Sequence, residues 1–191
     1  SSVVGVLCSK IILAESSLFN FVLQQSFDYR NVPYYLVLGV MAGFISLYYA
    51  RLFKGTEKRM LGWKMNGYMK TVAGGSILAL IYFVFPPLFG EGYNSVKMVA
   101  NGSLVTFADN TTLFSVLNQN WGLIVFSGLI VILKPIAAGI TIGSGGNGGN
   151  FAPSLFAGSY LGFFFSKLLN STPWIKIPEG NFSLVGMAGV L

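Results

Sequence analysis

Gly143-Ser144-Gly145-Gly146-Asn147-Gly148-Gly149-Asn150-Phe151-Ala152-Pro153-Ser154 is the stretch whose reading decides the fold. Glycine at this density does not hold a regular helix, because each interior Gly costs about 1 kcal/mol relative to Ala. Pro153 fits the first turn of a new helix, where its missing N–H is no loss. The run Leu155 to Leu169 that follows is apolar, with Ala157, Gly158, Ser159 and Gly162 small enough for close helix packing. One helix is therefore expected to end at 142, irregular backbone to fill 143–150, and a second helix to occupy 151–169.

The composition on either side says which solvent these helices meet. The 191 residues are 53% hydrophobic and only 9% charged, with a mean hydropathy of +0.67. A soluble domain carries about 25% charge, so this surface is not built for water. The composition excludes a disordered chain, a nucleic-acid-binding domain and an ordinary cytosolic enzyme. A single cysteine, Cys8, allows no internal disulfide, and the lack of any histidine removes the commonest general base and metal ligand. The chain reads as an all-α, polytopic membrane protein.

A bilayer core of about 30 Å needs about 20 apolar residues in a helix. The charge-free runs 31–50, 71–89 and 110–133 predict membrane helices at 31–54, opened by Pro33, at 71–89, closed by Pro86-Pro87, and at 121–142. Residues 1–14 read as the end of a membrane helix and 182–191 as the start of another. Both ends lie inside apolar runs, so the chain is expected to be a piece of a longer membrane protein. Arg51, Lys54, Lys58, Arg59, Lys64 and Lys70 crowd one short stretch, offset only by Glu57. By the positive-inside rule the segment 55–70 is a basic cytoplasmic loop. Residues 15–30 and 90–97 then connect helices on the opposite side, where 98–118 forms a short surface helix or loop. Trp63, Trp121 and Trp174 fall near the ends of these spans, as interfacial rings do. The sequons at Asn101, Asn110, Asn170 and Asn181 carry little weight in so Asn- and Ser-rich a chain.

Irregular backbone at membrane depth is tolerated where it is buried in protein or lines a cavity. The helix start that follows presents unpaired N–H groups and the positive end of a dipole. Together these make an anion site, with the backbone amides of Asn150 and Phe151 as ligands. Gly143, Ser144, Gly145, Gly146 and Gly148 form the supporting glycine loop. Other readings exist. A glycine-rich kink can serve helix packing alone in a structural membrane subunit, and another secondary transporter with a broken helix would look similar. Gly143-x-Gly145-x-x-Gly148 formally matches a dinucleotide fingerprint, but it follows a membrane helix and no ribose-binding acid stands about 20 residues on. An enzyme is not expected, for want of a nucleophile–base set or paired carboxylates.

Lys134 is a basic residue inside an apolar span, which by default suggests function. The plainer reading places it near the inner end of its helix, snorkelling, or pairing with carbonyls of the glycine run. Glu15 and Glu91 read as surface residues, since glutamate is seldom buried unpaired.

The run from Lys134 through Gly158 resembles the CLC family of chloride channels and chloride/proton exchangers. Gly149-Asn150-Phe151-Ala152-Pro153 fits that family's G-x-F-x-P filter motif. Leu88-Phe89-Gly90-Glu91-Gly92-Tyr93 is similar to its G-x-G-Y segment, and the tail Pro178-Glu179-Gly180 through Gly186-Met187-Ala188-Gly189 matches in order and spacing. The resemblance implies an inverted-repeat architecture with broken and re-entrant helices, of which this chain is mainly the second half. It implies chloride as the transported ligand, no cofactor or metal, a lipid bilayer as surroundings, a homodimer in the full-length protein and a place in the plasma (inner) membrane. The family's gating glutamate and pore tyrosine have no counterpart among these residues.

Overall fold

The computed structural model describes residues 28–90, 92–100, 119–172 and 175–190. Helix α1 spans Val32–Leu61, with Pro33 in its first turn, and follows a single 3-10 turn at Tyr29–Asn31. Helix α2 spans Gly67–Val84 and gives way to a 3-10 turn at Pro86–Leu88. Helix α3 is the short Tyr93–Ala100, α4 spans Gln119–Gly143, α5 Phe151–Asn170 and α6 Glu179–Gly189. Every regular element among the described residues is helical, as the composition requires. Three stretches, Tyr29–Leu61, Gly67–Val84 and Trp121–Gly143, are long and apolar enough to cross a membrane.

Several boundaries differ from the sequence reading. The helix expected at 31–54 continues to Leu61, because Met60 is buried and the backbone at Phe53 and Glu57 packs against Gly139 and Gly143 of α4. The charges that suggested a loop at 55–70 instead decorate the solvated side of a helix end, where Lys58 and Arg59 complement the dipole. Only 62–66 remain as a connection. Helix α2 starts at Gly67 rather than 71, with Lys70 donating to the Leu61 carbonyl at 3.1 Å. It stops at Val84 rather than 89, because Pro86 and Pro87 cannot extend it. The connection expected at 90–97 holds α3, which buries Val96 and Val99 at a helical spacing of three. Of 98–118, residues 98–100 belong to α3 and the remainder lies outside the described residues, as does 1–14. The last helix begins three residues before 182, directly after Pro178.

The contacts fix relative directions. Tyr48 donates to the Ile132 carbonyl at 3.4 Å, and Met60 packs on Gly143, so α1 and α4 run parallel. Gly74 of α2 abuts Ser144, at the end where α1 stops and α2 begins, so α2 runs the other way. Helix α5 is antiparallel to α4, with Phe156 beside Lys134 and Phe164 beside Gly128.

One buried apolar cluster draws on every helix but α2, from Leu38 and Ala42 of α1 through Phe126 and Ile130 of α4 to Phe156, Tyr160 and Phe182, with Ile81 and Tyr82 of α2 packed against its edge. Helix α5 lies at its centre, with every residue from Ser154 to Phe163 buried. Helix α2 is the opposite case. It buries only Gly74 and turns Tyr68, Leu80 and Phe83 outward, as a helix solvated by hydrocarbon does. Helices α5 and α6 meet through Gly158, Gly162 and Gly186, whose missing side chains let the two backbones touch. The buried hydroxyls of Ser159 and Ser183 bond across this seam at 2.6 Å. Its loop is held by Asn170, which donates to the Ile177 carbonyl at 3.0 Å and accepts from the Ile177 N–H at 2.8 Å, and by the Lys167–Glu179 ion pair at 2.9 Å.

Candidate functional site

The glycine loop is a reversal anchored to the last turn of α4. The Ser144 N–H and hydroxyl both donate to the Ile140 carbonyl, at 2.9 and 2.6 Å. Gly145 then takes a φ of +97°, open to glycine, and the Gly146 N–H returns to the Thr141 carbonyl at 2.9 Å. A Cβ on Gly146 would stand 2.6 Å from that carbonyl oxygen, so glycine is needed there for the fold-back itself. Thr71 of α2 donates to the Ser144 carbonyl at 2.8 Å and ties the reversal to a second helix.

The reversal divides the expected site residues into two groups. Gly143, Ser144 and Gly145 line a pocket with Leu61, Gly67, Lys70 and Thr71, at the basic end of the helices. Gly148, Gly149, Phe151, Ala152 and Pro153 line a separate cavity of about 400 Å³. Its other walls come from Tyr82 of α2, Leu88 and Gly90 of the turn after it, Lys134, Ala137, Ala138, Thr141 and Ile142 of α4, and Asn147. Asn150 is exposed and is not among the cavity's lining residues, so the structure does not bring its side chain together with Phe151 there.

Helix α5 opens toward this cavity. Its N-cap, Asn150, has φ −84° and ψ −14° and makes no side-chain cap hydrogen bond. No acidic residue occupies the first turn, and Ser154 directs its hydroxyl to the Phe151 carbonyl at 2.8 Å. The first intrahelical acceptor is the Asn150 carbonyl, reached by the Ser154 N–H at 3.1 Å. The amides of the first helical residues have no partner within the helix. Phe151 is 64% exposed in a helix whose next turns are buried. Among the described residues no carboxylate lines the cavity, and one ammonium-bearing residue does. Its charge and its uncapped amides favour an anion. Among the described residues no cluster of His, Cys, Asp and Glu could hold a metal ion.

The position of this helix start matters as much as its polarity. Phe151 shares the cavity with Ala137 and Ala138, and α4 continues past them to Gly143, about 8 Å further at 1.5 Å per residue. Helix α2 begins at Gly67, about 10 Å beyond Gly74, which abuts the loop at Ser144. The start of α5 is therefore recessed among the long helices rather than level with their ends.

Lys134 is 3% exposed, and its hydrogen bonds go to carbonyls outside the glycine run. Its ammonium donates to the carbonyls of Leu88 and Gly90, each at 3.0 Å, and lies 4.2 Å from the centre of the Phe156 ring. The sequence reading had considered carbonyl partners in the glycine run. The actual carbonyls belong to the turn after α2, more than 40 residues earlier in the chain. Tyr82 carries no mark of this role in the sequence, since an aromatic residue in a span looks the same whether or not it lines a cavity.

The family model described as voltage gated chloride channel matches residues 1–191. An uncharacterized protein of Methanocaldococcus jannaschii is 25% identical over 179 residues, covering 93% of this chain and 41% of that protein. The voltage-gated ClC-type chloride channel ClcB of Salmonella typhimurium is 25% identical over 192 residues, covering the whole of this chain and 41% of that protein. ClcB of Escherichia coli strain K12 is 26% identical over 191 residues with the same coverage. The chain thus spans about two fifths of the length of the curated relatives it matches. No solved structure gives a comparable match.

Proposed function

Because the chain belongs to the voltage gated chloride channel family, whose members are integral membrane proteins, we propose that it forms part of a chloride pathway. The observation that carries the proposal is the recessed, uncapped start of α5 facing a cavity that no carboxylate of the described residues lines. An anion entering a low-dielectric site must replace its hydration shell, and fixed backbone N–H groups do this without bringing a mobile counter-charge. In this reading the amides of Asn150 and Phe151 hold chloride, Gly149 and Pro153 shape the turn, and the loop at 143–148 sets its direction. No covalent chemistry is involved.

The residues that contribute from the other inverted half, the homodimer and the plasma-membrane location belong to the same proposal. The basic end, with Lys58, Arg59, Lys64 and Lys70, then faces the cytoplasm. The resemblance leaves channel and chloride/proton exchanger both open. The test is anion efflux from chloride-loaded liposomes holding the full-length protein, run with and without a pH gradient. Chloride efflux that drives protons uphill identifies an exchanger, and efflux without proton movement a channel. Silence toward chloride, nitrate, fluoride and sulfate alike refutes the proposal and leaves the glycine loop as packing.

A further inference from the structure

The most unusual side chain of the described residues is Lys134, a buried cation with no carboxylate partner among them. An ammonium has three N–H donors. Two point at the Leu88 and Gly90 carbonyls, each at 3.0 Å, and the remaining face of the charge lies over Phe156. The ring faces the positive charge with its electron-rich side. The ammonium is thus fully engaged by protein groups.

The turn that supplies those carbonyls presses on the same ring. Gly90 and Gly92 both have left-handed φ, +66° and +77°. A Cβ on Gly92 would lie 3.2 Å from Phe156 Cγ and closer still to two other ring atoms. Phe156 is wholly buried in the second turn of α5 and also packs on Tyr160, at 4.6 Å between ring centres. Three segments far apart in the chain converge on one ring five residues from Phe151. The left-handed turn aims its carbonyls at α4, the lysine of α4 satisfies them, and both fix the ring of α5.

We infer that Lys134 is a positioning residue: it clamps the Leu88–Gly92 turn onto Phe156 and so sets where the first turns of α5 stand, without itself binding the anion. This rests on the chloride-pathway reading of the α5 start. It also gives the Gly90-x-Gly92 turn a role, which is to present two carbonyls and a bare backbone to the helix that carries the site.

The experiment measures chloride-to-nitrate permeability ratio and chloride efflux rate for full-length protein carrying Lys134→Arg, Lys134→Gln, Lys134→Met, Gly92→Ala and the Met/Ala pair. The expected pattern has Arg close to wild type, because a guanidinium can also donate to two carbonyls. Gln is expected between Arg and Met, since its neutral amide still donates. Met and Gly92→Ala each change the ratio by about tenfold in the same direction, about a decade less than the ~100-fold a full 1 Å misplacement can cost. The double variant is no worse than either single one, because both break one contact. Gln and Met behaving alike while Gly92→Ala is silent overturns the clamp and makes the charge itself the operative quantity. Additive effects of the pair overturn it too. If Lys134→Met does not assemble, Gly92→Ala attacks the contact from the other side and decides alone. A wild-type protein that moves no anion refutes the chloride-pathway proposal rather than the clamp, which thermal unfolding of the same variants would still report as coupled or independent.

Discussion

Gly162→Ala should loosen the helix that carries the site without touching the site. A Cβ on Gly162 would stand 2.6 Å from the Phe182 carbonyl carbon and 2.8 Å from Ser183 Cα, against 3.4 Å for ordinary contact. Both neighbours are backbone, so no side chain can swing aside, and α5 and α6 must part by at least 0.8 Å. The same movement stretches the Ser159–Ser183 bond from 2.6 Å to about 3.4 Å, outside the useful O–H···O range of about 2.5–3.0 Å. Overpacking of this kind costs about 1–3 kcal/mol, and an interhelical hydrogen bond in a membrane contributes about 0.6 kcal/mol. Alanine recovers up to about 1 kcal/mol of helix propensity. The net expectation is a loss of about 1–3 kcal/mol. The assay is thermal unfolding of detergent-solubilised full-length protein, with Gly39→Ala as the control, because nothing lies within 4 Å of a Cβ there. Gly162→Ala should melt several degrees below wild type and lose chloride efflux, while Gly39→Ala should match or exceed wild type. Equal melting temperatures for the two variants would mean that the backbones do not touch as described.

Gly146→Ala should impair efflux more than Gly148→Ala, because a Cβ at 146 meets the Thr141 carbonyl oxygen at 2.6 Å while one at 148 meets nothing within 4 Å; comparable rates in liposomes would refute the fold-back. Thr71→Val removes the 2.8 Å bond to the Ser144 carbonyl and should lower stability by about 1 kcal/mol, with Thr71→Ser restoring it in the same melting assay. Asn170→Ala breaks the paired bonds to Ile177 and should destabilise the α5–α6 hairpin by about 1–3 kcal/mol, whereas Ser171→Ala at the exposed neighbour should change little.

The break at 143–150 and the helix start at 151 were legible because they rest on local backbone rules. Glycine density ends one helix, and Pro153 tolerates the first turn of the next. The spans were legible from hydropathy, which registers length and solvent. Charge was a poorer guide to secondary structure. Residues 55–61 carry three charges and Gly55, yet Met60 packs on α4 and the helix extends around that buried side. Helix α3 is not visible in the sequence because eight residues, with Val96 and Val99 among the buried ones, fall below what a span-length window registers. The Lys134 contacts were missed for another reason. Their acceptors are main-chain carbonyls, which every residue possesses, presented by a turn 44 and 46 residues away. Sequence marks the donor and leaves the acceptor unmarked.

The site and its support make opposite physical demands, and α5 meets both along a single helix. The proposed anion site needs donors that are uncapped, and at this helix start Asn150 forms no cap bond and Phe151 stays open. Donors left open in this way gain selectivity only if they cannot relax toward one another or toward a carbonyl. Local hydrogen bonding cannot provide that rigidity, because it would occupy the same N–H groups. It has to come from further along the helix, where Ser154 through Phe163 are buried on every side and Gly158 and Gly162 admit the α6 backbone. Rigidity is therefore transmitted axially, over about two turns between the seam and the open end. This is why substitutions at Gly162, remote from any anion, should alter transport as strongly as changes in the glycine loop.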